Sequence, residues 1–202
     1  MFSLAEQFGA IDIYLFDQLL RGRIEPGMRV LDAGCGAGRN LVYLLQAGYE
    51  VFGVDMDPDA VESTRELAKQ LAPSLPVGNF RVGAIESMPF PEAFADVVLS
   101  NAVLHFARDD EHFDAMLRGT WRVLKPGGML FCRLASSIGI ESQIERLSGR
   151  RYLLPDGSER YLVDEAQLMK ITSKLGGELL DPLKTTVVQG QRSMTTWVVE
   201  RR

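Results

Sequence analysis

Along the chain, short apolar runs bounded by glycine and proline alternate with stretches whose apolar positions recur every three or four residues. The first rhythm belongs to buried strands and the second to amphipathic helices. Their alternation predicts an α/β fold around a mainly parallel sheet. Residues 11–20 read as an opening helix. Residues 28–32 form a strand that runs into Ala33-Gly34-Cys35-Gly36-Ala37-Gly38, and the next helix carries Leu41, Val42, Leu44 and Leu45 until Gly48 stops it. Residues 49–55 are a second strand. Asp57-Pro58-Asp59 then supplies an N-cap, a proline for the first turn and an acid at the positive end of the helix dipole, in a helix that reaches Leu71. Residues 80–85 and 96–100 are the third and fourth strands, the fourth short and apolar as burial on both faces requires. Asp109 and Asp110 open a helix with Phe113, Met116, Leu117, Thr120, Trp121 and Leu124 on its buried face. Lys125-Pro126-Gly127-Gly128 ends it before a fifth strand, 129–134. In the tail, 152–154 and 160–163 flank Pro155-Asp156-Gly157-Ser158 as a hairpin. A helix covers 164 to about 175, and 178–188 with 193–200 flank Gly190 as a closing antiparallel pair.

At 202 residues the chain suits one domain, at about 150 residues per domain. Hydrophobic residues make up 46% and charged residues 24%, which excludes wholesale disorder. No uncharged run exceeds 11 residues, as in 97–107, whereas a membrane span needs about 20. The N-terminal octet lacks a basic stretch followed by an apolar core, so no export signal is expected and the cytoplasm is the expected compartment. The net charge of −5 gives no general attraction to nucleic acid or to an anionic membrane. Two cysteines make no disulfide framework, and two histidines and two cysteines without ligand spacing predict no metal site. Oligomeric state is not legible.

In a doubly wound sheet, ligands bind beyond the carboxyl ends of the strands. Two features converge there: the segment from Asp32 to Gly38, and Asp55, 21 residues after Gly34. Glycines allow a sharp turn and close approach of backbone to ligand. A carboxylate at the second strand end accepts the hydroxyl hydrogens of a ribose. Together they indicate a cofactor containing adenosine. A dinucleotide site wants G-x-G-x-x-G, and Arg39 stands at its third glycine position. Asp32 at the loop mouth is awkward beside a pyrophosphate and suits an ammonium or sulfonium. Arg39 likewise excludes a phosphate-binding P-loop, and no G-x-S-x-G elbow supports a serine hydrolase.

Val30-Leu31-Asp32-Ala33-Gly34-Cys35-Gly36-Ala37-Gly38 resembles the first motif of class I S-adenosylmethionine-dependent methyltransferases. Gly53-Val54-Asp55 resembles their second motif, and Leu124-Lys125-Pro126-Gly127-Gly128 the loop before their fifth strand. The resemblance implies a Rossmann-like, doubly wound, seven-stranded sheet, mostly parallel with one antiparallel strand, and helices on both faces. It implies one methyltransferase domain over 1–202: a lid helix in 1–27, a cofactor-binding core in 28–134, and an acceptor side in 135–202. S-adenosylmethionine is the implied cofactor. Asp32 and Gly34-Cys35-Gly36 would line its methionine part, Asp55 would take the ribose and Met56 would pack on the adenine. The Ile85 N–H would meet the adenine edge, and Ser100 and Asn101 would face the ammonium and the transferred methyl. Where many relatives carry an acid for the adenine amino group, this chain has Ala84, so that contact is lost or passes to Glu86.

Methyl transfer to a small-molecule acceptor needs alignment, exclusion of water and sometimes a base. His105 is a candidate base, or a buried histidine bonded to backbone. Tyr14 is a lid over the cofactor, or packs in the first helix. His112 reads as solvated. Arg146, Arg150, Arg151 and Arg160 suit an anionic acceptor, or form a salt-bridged surface with the acids among them. Gly38-Arg39-Asn40, Leu154-Pro155-Asp156-Gly157 and Gln191-Arg192-Ser193-Met194-Thr195 resemble the tellurite-resistance-type small methyltransferases, which act on small, soft or oxyanionic acceptors. That implies Arg192 at the acceptor and Arg39 at the methionine carboxylate; otherwise Arg192 is a turn's surface charge. The rival functions are a cofactor-binding module without turnover and a nicotinamide-dependent oxidoreductase.

Overall fold

The computed structural model describes residues 3–202. Ser3 and Glu6 cap one another's backbone at the start of α1 (Leu4–Phe8), and Asp12 accepts the Tyr14 N–H to start α2 (Ile13–Leu20). The expected opening helix therefore begins two residues late, because Asp12 is its cap. Next come β1 (Arg29–Ala33), α3 (Val42–Gln46), β2 (Glu50–Asp55), α4 (Pro58–Leu71), β3 (Phe80–Val82), β4 (Ala95–Asn101), α5 (Asp110–Val123) and β5 (Leu124–Ala135). The tail holds β6 (Glu145–Ser148), β7 (Arg151–Leu153), β8 (Glu159–Tyr161), α6 (Glu165–Lys174), β9 (Gly177–Leu179), β10 (Lys184–Val188) and β11 (Arg192–Arg201).

The main sheet runs β10-β11-β5-β4-β1-β2-β3, with β9 bonded to the far end of β11. From β5 to β3 every pairing is parallel, and β11 alone runs against both β5 and β10. Chain order reverses between β1 and β4, which opens a crevice at their carboxyl ends. The alternation of strand side chains sorts the core onto two faces. Leu31, Val98 and Leu130 pack with Phe113, Leu117 and Trp121 of α5 and Leu168 of α6. Val30, Val51 and Leu99 pack with Leu15, Leu44, Leu45 and Val61 on the other side.

Further sequence expectations change. The fifth strand begins at Leu124 rather than residue 129, so Lys125-Pro126-Gly127-Gly128 lies within β5 and Leu124 belongs to that strand rather than to α5. The third strand stops at Val82 rather than residue 85, because its ladder partner β2 ends at Asp55 opposite Val82. Ile85 instead enters a short 3-10 turn, Ile85–Ser87. The run 178–188 divides into β9 and β10: Pro182 cannot donate to a ladder, and Asp181 beside it is buried against Arg23 at 2.7 Å. The expected hairpin forms as β7 and β8, and β6 joins it to make a three-stranded antiparallel sheet. Tyr161 pins this small sheet by stacking on Phe113 and donating its hydroxyl to Asp110 at 2.8 Å.

Gly119 sits inside α5 where the helix crosses the Ile85–Ser87 turn. A Cβ there would strike the Ile85 carbonyl oxygen and stand 2.9 Å from Glu86 Cα. Backbone atoms cannot swing aside as a side chain can. Gly119→Ala is expected to lower unfolding free energy by about 1 kcal/mol or more, outweighing the roughly 1 kcal/mol by which alanine favours a helix interior. Urea denaturation measures this; a variant at least as stable as the parent would show the contact to be slack.

Candidate active site

Three hydrogen bonds hold the glycine loop to the end of β2. The N–H groups of Gly34 and Cys35 both donate to the Val54 carbonyl, at 2.8 and 3.0 Å, and the Gly36 N–H donates to Asp55 Oδ2 at 2.9 Å. Asp55 Oδ1 accepts the Asp57 N–H at 3.0 Å. From α4, Thr64 donates to the Gly36 carbonyl at 2.6 Å. Gly34 has a φ of +91°, and a Cβ on it would run into Val103, so only glycine serves there.

Beyond this loop lies a cavity of about 610 Å³ built from strand ends. Gly34 and Gly36 follow β1, Asp55 ends β2 with Met56 after it, and Asn101 ends β4 with Ala102 and Val103 after it. Gly83, Ala84, Ile85 and Glu86 form another wall, and Phe106, Arg108, His112 and Met116 complete the lining. Asn101 is buried, and both its amide nitrogen and its amide oxygen lack partners among the described residues. Ala102 takes a left-handed φ of 64°, strained for a residue with a Cβ, and its N–H donates to the Arg133 carbonyl at 2.7 Å.

A second cavity, about 460 Å³, touches the first through Ala102. Arg39, Arg133, Arg160 and Arg192 border it together with His105 and Asp156. Arg133 is paired with Asp12 at 2.8 Å. Arg160 lies over the Phe106 ring at 4.8 Å. His105 Nδ1 accepts the Ala135 N–H at 3.1 Å, and burial, helped by the charge of Arg160, pushes its pKa down to about 4.

Among the residues singled out from sequence, Gly34, Gly36, Asp55, Met56, Ala84, Ile85, Glu86 and Asn101 meet at the first cavity, and Arg39, His105 and Arg192 at the second. Five lie outside both linings. Asp32 is buried beneath the loop, one oxygen without a partner. The Cys35 N–H is committed to Val54, and its thiol packs where a Gly53 Cβ would be, burial pushing its pKa up to about 12. Asn40 Oδ1 accepts the Asp12 N–H at 3.0 Å, so Asn40 anchors the N-terminal segment. Strand alternation turns Ser100 into the core beside the Cys132 thiol. Tyr14 bonds to Thr186 at 2.8 Å under Arg133, which docks α2 on β10 rather than over the first cavity.

Sequence reasoning missed Val103, Phe106 and Met116, whose ordinary apolar character carries no signal, and read His112 as solvated. His112 lines the first cavity with its Nε2 3.6 Å from Glu86. Arg150 and Arg151 are salt-bridged, to Asp164 at 2.9 Å and Glu159 at 2.6 Å. Arg160 instead borders the second cavity.

Burial pushes the Asp32 carboxyl up to about 8, against the pull of Arg39. Between its unfolded value near 4 and 8, the unfolded chain is ionised at this residue and the folded chain is not, so stability falls as pH rises. His105 works the other way: its folded value lies below the unfolded 6.5, so its contribution is lost as pH falls from 6.5 towards 4. The Asp32 effect is therefore cleanest from pH 6.5 to 8. Ligand-free protein should lose unfolding free energy across that window and Asp32→Asn should not, in denaturant titrations at fixed salt. Parallel pH curves for the two proteins would show that Asp32 is ionised in the fold.

The model of the family described as "Methyltransferase domain" matches residues 31–132. An uncharacterised methyltransferase of Synechocystis is 35% identical over 106 residues, covering 52% of this chain and 46% of the relative. The chain spans about half the length, or less, of the first curated relatives it matches. A solved S-adenosylmethionine-dependent methyltransferase from Methanosarcina mazei superposes with a TM-score of 0.74 at 19% identity, covering 91% of this chain and 96% of that one. A second, the 1,6-didemethyltoxoflavin-N1-methyltransferase of Burkholderia thailandensis with bound S-adenosylhomocysteine, gives 0.71 at 20% identity over 96% and 79% of the two chains. With the glycine loop, the acid at the end of β2 and the single antiparallel strand all in place, the chain belongs to the class I S-adenosylmethionine-dependent methyltransferase family.

Proposed function

We propose that this chain transfers a methyl group from S-adenosylmethionine to a small-molecule acceptor by in-line displacement. The observation that carries the reading is the pairing of Asp55 with the unpartnered, buried Asn101 amide across a glycine-floored cavity. A buried amide with neither hydrogen-bonding atom satisfied costs stability unless a ligand completes it. The donor set suits the cofactor. Asp55 accepts the two ribose hydroxyl hydrogens, while the Asn101 amide serves the amino-acid end. Met56 and Ile85 offer apolar faces to the adenine. Ala84 has no hydrogen-bonding side chain, so the adenine amino group falls to Glu86. The bound cofactor supplies a methyl group already activated on a sulfonium.

This chain's own part is alignment and exclusion of water. The acceptor approaches from the second cavity past Ala102, the residue both cavities share. His105 fits poorly as a general base. Its Nδ1 already accepts a hydrogen bond, so in the neutral ring Nε2 carries the proton. Residues 1–202 act in this reading as one unit, with 28–134 on the cofactor side and the tail building the acceptor wall. The net charge of −5 supports a small molecule over a nucleic acid. The two unpaired, buried cysteines support a cytoplasmic setting, and no described helix is long and apolar enough to cross a membrane.

Asp55→Ala should weaken binding of S-adenosylmethionine and S-adenosylhomocysteine at least tenfold, about 1.4 kcal/mol, in a calorimetric titration of stripped protein. Asp55→Asn, which keeps an acceptor for the Gly36 N–H, should lose less. Unchanged affinity in the alanine variant, or binding of NAD in place of these ligands, would sink the assignment.

A further inference from the structure

Resting on the reading above, we propose that the second cavity is the acceptor site and that its acceptor is a small organic carboxylate whose own anionic oxygen takes the methyl. Three guanidiniums at its border, Arg39, Arg160 and Arg192, form no ion pair among the described residues. Arg39 and Arg160 bond only to backbone carbonyls, of Ala10 and Glu159. The fourth, Arg133, is neutralised by Asp12. Asp156 is the carboxylate on this wall, and it is held by the Ser158 N–H at 2.9 Å and the Ser158 hydroxyl at 2.6 Å. The cavity is thus left with net positive charge and several unused N–H donors. A guanidinium presents them as a planar fork that matches a carboxylate.

Size and lining select an organic anion. A bare inorganic oxyanion fills only a few times the ~30 Å³ of a water molecule, against about 460 Å³ here. Leu154, Val188 and Met194 line the remaining wall and suit an apolar body. The absence of a competent base among these residues selects the nucleophile. His105 is neutral with its proton on Nε2 and its Nδ1 engaged by the Ala135 N–H, so neither nitrogen is free to remove a proton. Asp156 accepts both Ser158 bonds on Oδ1, and Ser158 together with the charges of Arg160 and Arg192 lowers its pKa, which weakens it as a base. A hydroxyl or ammonium acceptor would find no strong base on this wall to take its proton. A carboxylate needs none: one O–C bond forms as the S–C bond breaks, its electron pair stays on sulfur, and the two opposite charges disappear together.

The test is calorimetry on protein saturated with S-adenosylhomocysteine, titrated with benzoate and phenylacetate, their neutral amides, and selenite. The expected result is saturable binding of at least one acid, none of either amide, and at least tenfold weaker acid binding in Arg192→Gln and Arg160→Gln. Affinity for S-adenosylhomocysteine and melting temperature should stay near those of the parent in both variants. Equal binding of acid and amide, acid binding undiminished in both variants, selenite binding alone, or no anion binding at all would each overturn the proposal. Failure to bind S-adenosylhomocysteine in the first place would instead overturn the cofactor reading, so the two failures are separable.

Discussion

The hydrogen bond from the Gly36 N–H to Asp55 Oδ2 joins the two sequence features on which the site rests. It ties the loop after β1 to the end of β2, while the Val54 carbonyl takes the next two donors, Gly34 and Cys35. The loop is thereby committed to the fold before any ligand arrives. Asp55 uses both oxygens in this clasp, one on Gly36 and one on Asp57, and still borders the cavity. A carboxylate keeps lone pairs beyond those two bonds, so the same group can hold the loop and still offer acceptors to the cavity. Gly34 is forced by the same geometry, because Val103 from the far side of the crevice occupies the space a Cβ would need.

From that floor the crevice divides at Ala102. On one side the lining is largely apolar, with Asp55, Glu86, Arg108, His112 and the Asn101 amide as polar points. On the other side it is ringed with arginine. Ala102 holds a left-handed backbone at the partition, and the Arg133 carbonyl fixes its N–H. Strain of this kind persists only where neighbours over-determine the conformation, and it places the end of β4 between the two spaces. The arginines of that side come from four distant parts of the chain: the residue after the glycine loop, β5, β8 of the small sheet and the start of β11. The small sheet owes its place to Tyr161, packed into α5, and alternation along β8 then sends Arg160 the other way, over Phe106.

Much of the fold was legible because its causes are local. Asp57, Asp109 and Asp164 each cap the helix that sequence assigned to them. The buried face of α5 follows its three- and four-residue spacing. Misreadings occurred where a partner strand decides. Nothing in residues 80–85 announces that β2 ends opposite Val82, and nothing in 178–188 shows that Asp181 is pulled into an ion pair with Arg23. At the site, glycines and the acid at the end of β2 were readable because few residue types meet those backbone and hydrogen-bonding demands. Ser100 and Asn101 were not separable by sequence, although alternation on β4 buries one beside Cys132 and leaves the other at the cavity.

Sequence by itself determined the order of elements, the glycine turn, the acid that clasps it and hence the kind of cofactor the crevice suits. Each of these is a demand of backbone geometry or short-range chemistry, written within a few residues. Tertiary structure decided which side chains share a space. Asn40 and Tyr14, beside plausible motifs, became anchors for the N-terminal segment and α2. Arg160, lying in a segment of balanced charge, became part of a cationic wall. A charge acts through space, so its role depends on which carboxylates fold up beside it. Arg150 and Arg151 met theirs and Arg133 met Asp12, whereas Arg160 and Arg192 feel Asp156 at longer range and form no ion pair among the described residues.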